Sequence, residues 1–333
     1  MRQPDFKNLL KVLRRERPDR PTLFEFFLNM KLEYMLAGEE IPKPWDDYKY
    51  LQTKIVAFKN AGYDYNTIQG SNFHFPKPEH RQKKSISLNE RSIIHDRESF
   101  ETYTWPDPDD FDYSRLDQLS LPEGMKFIVW GPSGVLENVI ELTGYDNLCF
   151  MIYEQPELAG DIFDAVGSRL LKYYEICAPF EKVGALISND DWGFNQQTML
   201  SPADMRKYVF PWHKRIVEAI HRAGKPAILH SCGNLESVFD DIIDDMKYDA
   251  KHSYEDKIMP VEKAYEKWGS RIAILGGIDV SFICLSTPEE VAKRSRAMLE
   301  RTADRGGYAL GTGNSVPEYV PAENYLAMIK TAL

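Results

Sequence analysis

Short runs rich in β-branched and aromatic residues alternate along this chain with longer amphipathic runs. Such alternation is typical of βα units, in which helices join parallel strands. The runs predicted as strands are 21–28, 63–69, 126–131, 183–189, 226–230, 248–252, 271–276 and 307–311. Eight strands close a (β/α)8 barrel, which needs roughly 250 residues and tolerates insertions. The sequence therefore predicts an α/β fold, a TIM barrel formed as one domain over residues 1–333.

Helix start signals agree with this pattern. Ser201, followed by proline, predicts a helix that runs to about Ala223, because serine caps a helix and proline suits its first turn. Thr287 is also followed by proline and then by two glutamates, which favour the positive end of a helix. The polar segment 72–105 fits no βα unit. It is predicted to form an excursion after the second strand, near the barrel mouth.

Composition argues against several kinds of partner. The net charge of -10 repels phosphate backbones and so argues against nucleic acid. No apolar run approaches the roughly 20 residues of a membrane span. The first residues carry no apolar signal core, and the four cysteines are scattered without a disulfide framework. These features predict a cytoplasmic protein with no membrane partner.

Polar side chains follow most of the predicted strands at the point where each strand ends. TIM-barrel chemistry lies at this edge, so we expect these side chains to line one mouth. Carboxylates there can act as acid and base or orient a histidine, whereas a capping role is the structural alternative. The expected catalytic residues are Asp190, Asp191 and Asp279. The expected substrate contacts are Glu25, Asn29, Gln69, Trp130, Trp192 and Asn314.

His230 and Cys232 are the sharpest local signal. Residues two apart in an extended segment point to the same side. An imidazole and a thiolate placed in this way can share one Zn²⁺ at about 2.0–2.3 Å. The structural alternative is a buried histidine beside a small apolar cysteine. His252, which ends the next predicted strand, and Glu255, which follows it, are expected to complete the metal site, with Asp190 or Asp191 as alternative ligands.

Several motifs of the second half resemble one known family. They lie at Ser201–Ala223, Gly224–Asn234, Leu275–Asp279, Thr287–Val291 and Val320–Asn324, within roughly residues 125–333. Together they resemble the uroporphyrinogen decarboxylase superfamily, which has the TIM-barrel fold. The resemblance implies one of two functions, because the superfamily contains haem-pathway decarboxylases and zinc-using, cobalamin-dependent methyltransferases.

The motifs of the decarboxylase branch are incomplete in this chain. That branch carries an arginine loop after the first strand, where this sequence reads Phe26-Phe-Leu-Asn-Met30. It also has an aspartate at the end of the second strand, where Gln69 stands. A substrate with several carboxylates needs cationic partners. Negligible turnover of uroporphyrinogen is therefore expected.

The methyltransferase branch uses a His-x-Cys pair and a later cysteine as zinc ligands. His230 and Cys232 match the pair, and Thr312 stands at the third position. The resemblance thus implies a methyltransferase-like enzyme that moves a methyl group between a small substrate and a corrinoid carried by a separate partner protein. The alternatives are a metal-free lyase acting on a small carboxylate and a non-catalytic binding protein on the same barrel.

Overall fold

The computed structural model describes residues 2–77 and 92–333. Its strands are β1 Tyr65–Gln69, β2 Lys126–Trp130, β3 Val183–Asn189, β4 Ala227–His230, β5 Ala250–His252, β6 Ala273–Leu275 and β7 Tyr308–Ala309. They form one curled sheet in chain order, and every neighbouring pair is parallel. Seven of the eight predicted strands are confirmed. They could be predicted because buried parallel strands form apolar runs that are recognisable in the sequence.

Helices follow the strands and cover the sheet. They are α1 Phe6–Leu13, α2 Met30–Ala37, α3 Asp47–Asn60, α4 Arg97–Thr102, α5 Arg115–Gln118, α6 Val135–Thr143, α7 Tyr145–Glu154, α8 Pro156–Cys177, α9 Pro202–Asp204, α10 Phe210–Arg222, α11 Val261–Trp268, α12 Val280–Leu285, α13 Pro288–Thr302 and α14 Ala322–Lys330. A buried apolar core fills the space between the two layers. In the part of the chain that the structure describes, no helix combines the length and apolar character needed to cross a bilayer.

The predicted helix starts are confirmed. The Ser201 side chain accepts a hydrogen bond from the Asp204 N–H, and a π-helical turn at Met205–Val209 joins α9 to α10. Thr287 and Glu290 form a reciprocal capping box at the start of α13. The predicted excursion lies partly outside the described residues, while its described end contains α4.

The first predicted strand, 21–28, differs from the expectation. It joins the β7 edge only through single bridges, Leu23 with Leu310 and Leu28 with Val316. On its other side, the Tyr65 hydroxyl accepts from the Glu25 N–H at 2.6 Å and donates to the Glu25 C=O at 2.8 Å. A side chain from β1 therefore uses the backbone groups of Glu25 that a ladder between the two segments would need.

Two glycines test this packing in opposite directions. A Cβ on Gly311 would overlap the Phe24 carbonyl, whereas a Cβ on Gly160, within α8, would meet nothing within 4 Å. We expect Gly311→Ala to lower the free energy of unfolding by about 1–3 kcal/mol, as overpacking does. Gly160→Ala should raise it by about 0.5–1 kcal/mol through helix propensity. Urea denaturation measures both, and equal effects of the two changes would contradict the described packing at Gly311.

Candidate active site

The carboxyl ends of β3, β4 and β5 bring histidine, cysteine and carboxylate side chains to one edge of the sheet. The register pairs Asn189 with His230, and His230 with His252, so the three strands end at the same level. Asp191 and Cys232 each lie two residues beyond this level. Groups from three consecutive strands therefore share one mouth, where folds of this kind carry their chemistry.

Asp191, His230 and Cys232 form a compact group of possible metal ligands. One ligand atom of each lies within 4.8 Å of the other two. Cys232 Sγ is 3.9 Å from His230 Nε2, and the Cys232 N–H donates to Asp191 Oδ1 at 2.8 Å. Ligand atoms around a tetrahedral zinc ion stand about 3.3–3.8 Å apart. The group fits one such ion after small side-chain shifts, and it leaves a fourth position open.

The ring of His252 determines which nitrogen of His230 is available. His252 Nε2 lies 3.3 Å from the Thr312 carbonyl, which can only accept, so this nitrogen carries a proton. Burial lowers the pKa of His252 to about 3, so its ring is neutral and its Nδ1 holds a lone pair. His230 Nδ1, at 2.8 Å, must then donate to it. His230 Nε2 is left with a lone pair on the side of Cys232 and Asp191.

The Cys232 sulfur sits in a polar but buried setting. It accepts hydrogen bonds from Ser253 Oγ at 3.3 Å and from Asn314 Nδ2 at 3.4 Å. Burial and the nearby Asp191 carboxylate raise the pKa of the Cys232 thiol to about 12. Burial also raises the pKa of Asp191. A cation beside Cys232 and Asp191 would therefore stabilise their ionised forms, because a positive charge offsets the cost of ionising a buried group.

Lys251 is a residue of this site that sequence reasoning missed. It is buried, and its ammonium donates to three carbonyls, those of Ser231, His252 and Ser253, at 3.1, 3.2 and 2.5 Å. Burial lowers its pKa to about 8. The side chain thus ties the loop after β4 to the end of β5. A lysine in the middle of a predicted buried strand was the signal that could have identified it.

Comparison with known families assigns the chain to the same family that its motifs resemble. The family model for uroporphyrinogen decarboxylase (URO-D) matches residues 128–332, which is more than half of the chain. The chain belongs to the uroporphyrinogen decarboxylase family. The predicted resemblance is thereby confirmed at the level of the family.

Some relatives of this family member are similar to it in sequence, and another is similar to it in fold. The uroporphyrinogen decarboxylases of Anaeromyxobacter sp. and Geobacter sulfurreducens are each 25% identical to it, over 203 and 187 residues, or 60% and 55% of the chain. Those matches span 56% and 51% of the relatives, so the chain spans about half the length of the curated relatives it matches. A methyltransferase from Methanosarcina mazei has the same fold, with a TM-score of 0.70 at 14% identity over 98% of this chain and 97% of that one.

Thr312 of this URO-D family member stands where the resemblance places a third cysteine ligand. Its hydroxyl donates to Glu25 Oε1 at 2.5 Å and its N–H donates to Oε2 at 3.2 Å. Burial raises the pKa of Glu25 to about 8 in spite of these bonds. Glu25, an expected substrate contact, is fully buried and holds the segment after β7. Thr312 contributes its carbonyl to His252 instead of a ligand atom to a metal.

Asp190, an expected catalytic residue, makes contacts that hold the end of β3, and its catalytic role remains a prediction. Its buried carboxylate accepts from the N–H groups of Leu136 and Glu137 at the start of α6, at 2.9 and 3.0 Å. It also accepts from His213 Nε2 at 2.8 Å, and His213 Nδ1 lies 2.8 Å from the Tyr248 hydroxyl. All of these partners anchor the end of β3 to its covering helices. Asp191, one residue on, faces the mouth.

The other two expected metal ligands lie outside the compact group. Both ring nitrogens of His252 are engaged, one by His230 and one by the Thr312 carbonyl. Glu255 lines an open cavity of 620 Å³ at the mouth, together with Asp279 and Asn314. The Asp279 carboxylate accepts from the N–H groups of Phe282 and Asp256, at 2.8 and 2.9 Å, so it also caps α12.

The remaining expected substrate contacts separate into two kinds. Asn29 caps α2 and donates to the carbonyls of residues 316 and 317, and Trp192 is fully buried against Phe210. The structure gives these two residues capping and packing contacts, and their role in binding a substrate remains a prediction. Gln69 and Trp130 end β1 and β2 and are half-buried at the mouth. Within the described residues, the indole N–H of Trp130 has no hydrogen-bond partner.

The relay of hydrogen bonds predicts a single tautomer for His230. Ring ¹⁵N spectra should show protonated Nδ1 and unprotonated Nε2, with the signals assigned by difference from His230→Ala. In His252→Phe the acceptor is lost, so we expect a mixture of tautomers and a zinc affinity lower by about 10–100-fold. The matched control is His221→Phe, which removes a histidine paired with Asp249 on the outer surface. A protonated Nε2 in the wild type is the result that would contradict this assignment.

Proposed function

We propose that this chain is a methyltransferase-like enzyme that moves a methyl group between a small substrate and the corrinoid of a partner protein, assisted by Zn²⁺. The observation that carries the proposal is the group of Asp191, His230 and Cys232 at the ends of the neighbouring strands β3 and β4. The proposal includes the finer expectations on the fold, namely that segment 21–28 acts as the eighth strand of a closed barrel and that residues 1–333 form one domain.

The chemistry divides between the metal and the chain. When bound, zinc would act as a Lewis acid toward a lone-pair atom of the substrate at the open fourth position. His230, held in one tautomer by His252, and Cys232, which accepts from Asn314 and Ser253, orient two ligand atoms. Asp191 supplies the third ligand that the resemblance places at position 312. An oxygen ligand in place of a second thiolate suits an oxygen or amine substrate better than a thiol.

Decarboxylation is the alternative that the names of the curated relatives favour. Those relatives are uroporphyrinogen decarboxylases, and several carboxyl groups here have pKa values suited to proton transfer. Burial and the charges of Asp190 and Asp191 raise the pKa of Glu137 to about 8. A metal-free lyase would use such groups on a small carboxylate. A multiply anionic substrate lacks partners, because none of the described residues lining the 620 Å³ cavity is lysine or arginine.

Zinc binding tests the metal site directly. Calorimetry on the full chain should give micromolar or tighter binding of Zn²⁺ to the wild type. His230→Ala, Cys232→Ser and Asp191→Asn should each weaken it by about tenfold or more, which is about 1.4 kcal/mol per decade. Cys149→Ser removes an exposed thiol outside the group and should leave the affinity unchanged. If the wild type does not bind at micromolar concentrations, or if all the variants bind alike, the metal-free lyase becomes the better proposal.

Corrinoid spectroscopy tests the reaction. The zinc-loaded protein, mixed with reduced cobalamin as the corrinoid probe and a panel of methylated amines and ethers, should convert the cobalamin spectrum to that of the methylated form. Cys232→Ser should slow this change, since it removes one ligand of the proposed metal. Uroporphyrinogen incubated with the same preparations should remain unchanged. Robust decarboxylation by chelator-treated protein would instead establish the alternative.

A further inference from the structure

The 620 Å³ cavity at the mouth adjoins the proposed metal site through shared residues. Asn314 lines the cavity and also donates to Cys232 Sγ at 3.4 Å. Tyr254 lines it too, and its N–H donates to the Gly313 carbonyl, which joins the two loops that bound the cavity. A molecule in this space would therefore lie beside the open position of the ligand group.

The charges of the cavity wall have one sign. Glu255 and Asp279 are its charged residues among those the structure describes, and both are acidic. The neighbouring cation, Lys251, donates to three backbone carbonyls and lies outside this wall. Burial and the Asp279 carboxylate raise the pKa of Glu255, and the charges of Lys251 and Lys257 partly oppose this rise. The wall thus presents two carboxylates that no side-chain cation within it neutralises.

The rest of the wall is aromatic and apolar. Phe27 and Tyr319 line the cavity and are 40% and 72% exposed, so their rings are open to a ligand. Tyr254 is 4% exposed, and its hydroxyl has no hydrogen-bond partner in the ranges that the structure describes. Aromatic rings attract cations through their negative faces, and quaternary ammonium groups combine a charge with an apolar surface. This wall matches both properties of such a group.

We propose that the cavity binds a small substituted ammonium ion, a quaternary amine or a protonated tertiary amine, as the cationic head of the substrate, separate from the lone-pair atom that would face the metal. The carboxylates of Glu255 and Asp279 supply the charge, and the rings of Phe27 and Tyr319 supply the apolar contact. As the substrate class of the enzyme, this inference rests on the proposed function. Binding of the ammonium ion itself requires no metal, so it is measurable apart from that function.

Matched probes separate charge from shape. Choline is compared by calorimetry with its neutral isostere, in which a tert-butyl group replaces the trimethylammonium, and with a carboxylate of the same alkyl shape. The full chain should bind choline at least about tenfold more tightly than the isostere, and the carboxylate most weakly. The preference should shrink at high salt. Equal binding of choline and the isostere, or stronger binding of the carboxylate, would overturn the proposal.

Single variants locate the binding within the cavity. Glu255→Gln and Asp279→Asn keep the side-chain shapes, and asparagine still caps α12. Each should reduce choline affinity by about tenfold and leave that of the neutral isostere unchanged. Glu175→Gln, a carboxylate on α8 that pairs with Arg222, is the matched control and should bind choline like the wild type. Wild-type affinity in both cavity variants would overturn the proposed site.

Zinc titrations of the same preparations separate this inference from the proposed function. If zinc binds and choline does not, the metal site stands and the ammonium pocket is wrong. If choline binds with the expected preferences and zinc does not, the pocket stands and the zinc-assisted reaction is wrong.

Discussion

The hydrogen bond between the rings of His230 and His252 is the interaction on which the candidate site depends. It is 2.8 Å long, and its direction is set by a backbone carbonyl on the far side of His252. Because that carbonyl can only accept, every proton position along the relay follows from it. The carbonyl belongs to Thr312, a residue of the segment after β7 that forms a single bridge with Ile278, so the available nitrogen of His230 is set by a backbone group and not by a side chain.

The same contact explains how the structure accommodates threonine at position 312. The hydroxyl of Thr312 is bound to the buried Glu25, and this fixes the carbonyl that orients His252. The residue at the position where the resemblance places a cysteine ligand thus supports His230, a possible metal ligand. Asp191 lies on the opposite side of the group, after β3, and is positioned by the Cys232 N–H. In the proposed site, the ligand set is rearranged around a preserved His-x-Cys pair.

Sequence reasoning recovered the strands and the end of the sheet where the polar groups gather. It did so because buried parallel strands form distinct apolar runs and their carboxyl ends share one edge. The assignment of adjacent residues was harder. Asp190 and Asp191 are neighbours, yet one anchors helices and the other faces the mouth, since successive side chains of an extended segment alternate. The sequence pattern shows that successive side chains alternate between the two faces. It does not show which of the two aspartates points to the mouth where the strand ends.

Other roles depend on contacts that no local pattern contains. His252 is a strand-end histidine like His230, and only its distances to two partners distinguish a supporting ring from a ligand. Lys251 was overlooked because a lysine usually marks a solvated face, whereas here three carbonyls converge on its ammonium. Asn29 and Trp192 are polar or amphipathic residues near strand ends. In the structure, Asn29 caps a helix and Trp192 packs in the core. Their chemistry permits either role, and the tertiary fold selects one.

The seam between segment 22–28 and β1 affects the mechanics of the whole sheet. A continuous ladder distributes shear over many backbone bonds, but here a single tyrosine hydroxyl, that of Tyr65, bridges the two segments at Glu25. The seam is consequently more compliant than the continuous ladders between β1 and β7. When a ligand enters the mouth, the wall at Phe27 can yield along this line. The strand ends that carry His230, His252 and Asp191 lie on the opposite side, within an unbroken ladder, so the site keeps its geometry while its entrance adapts.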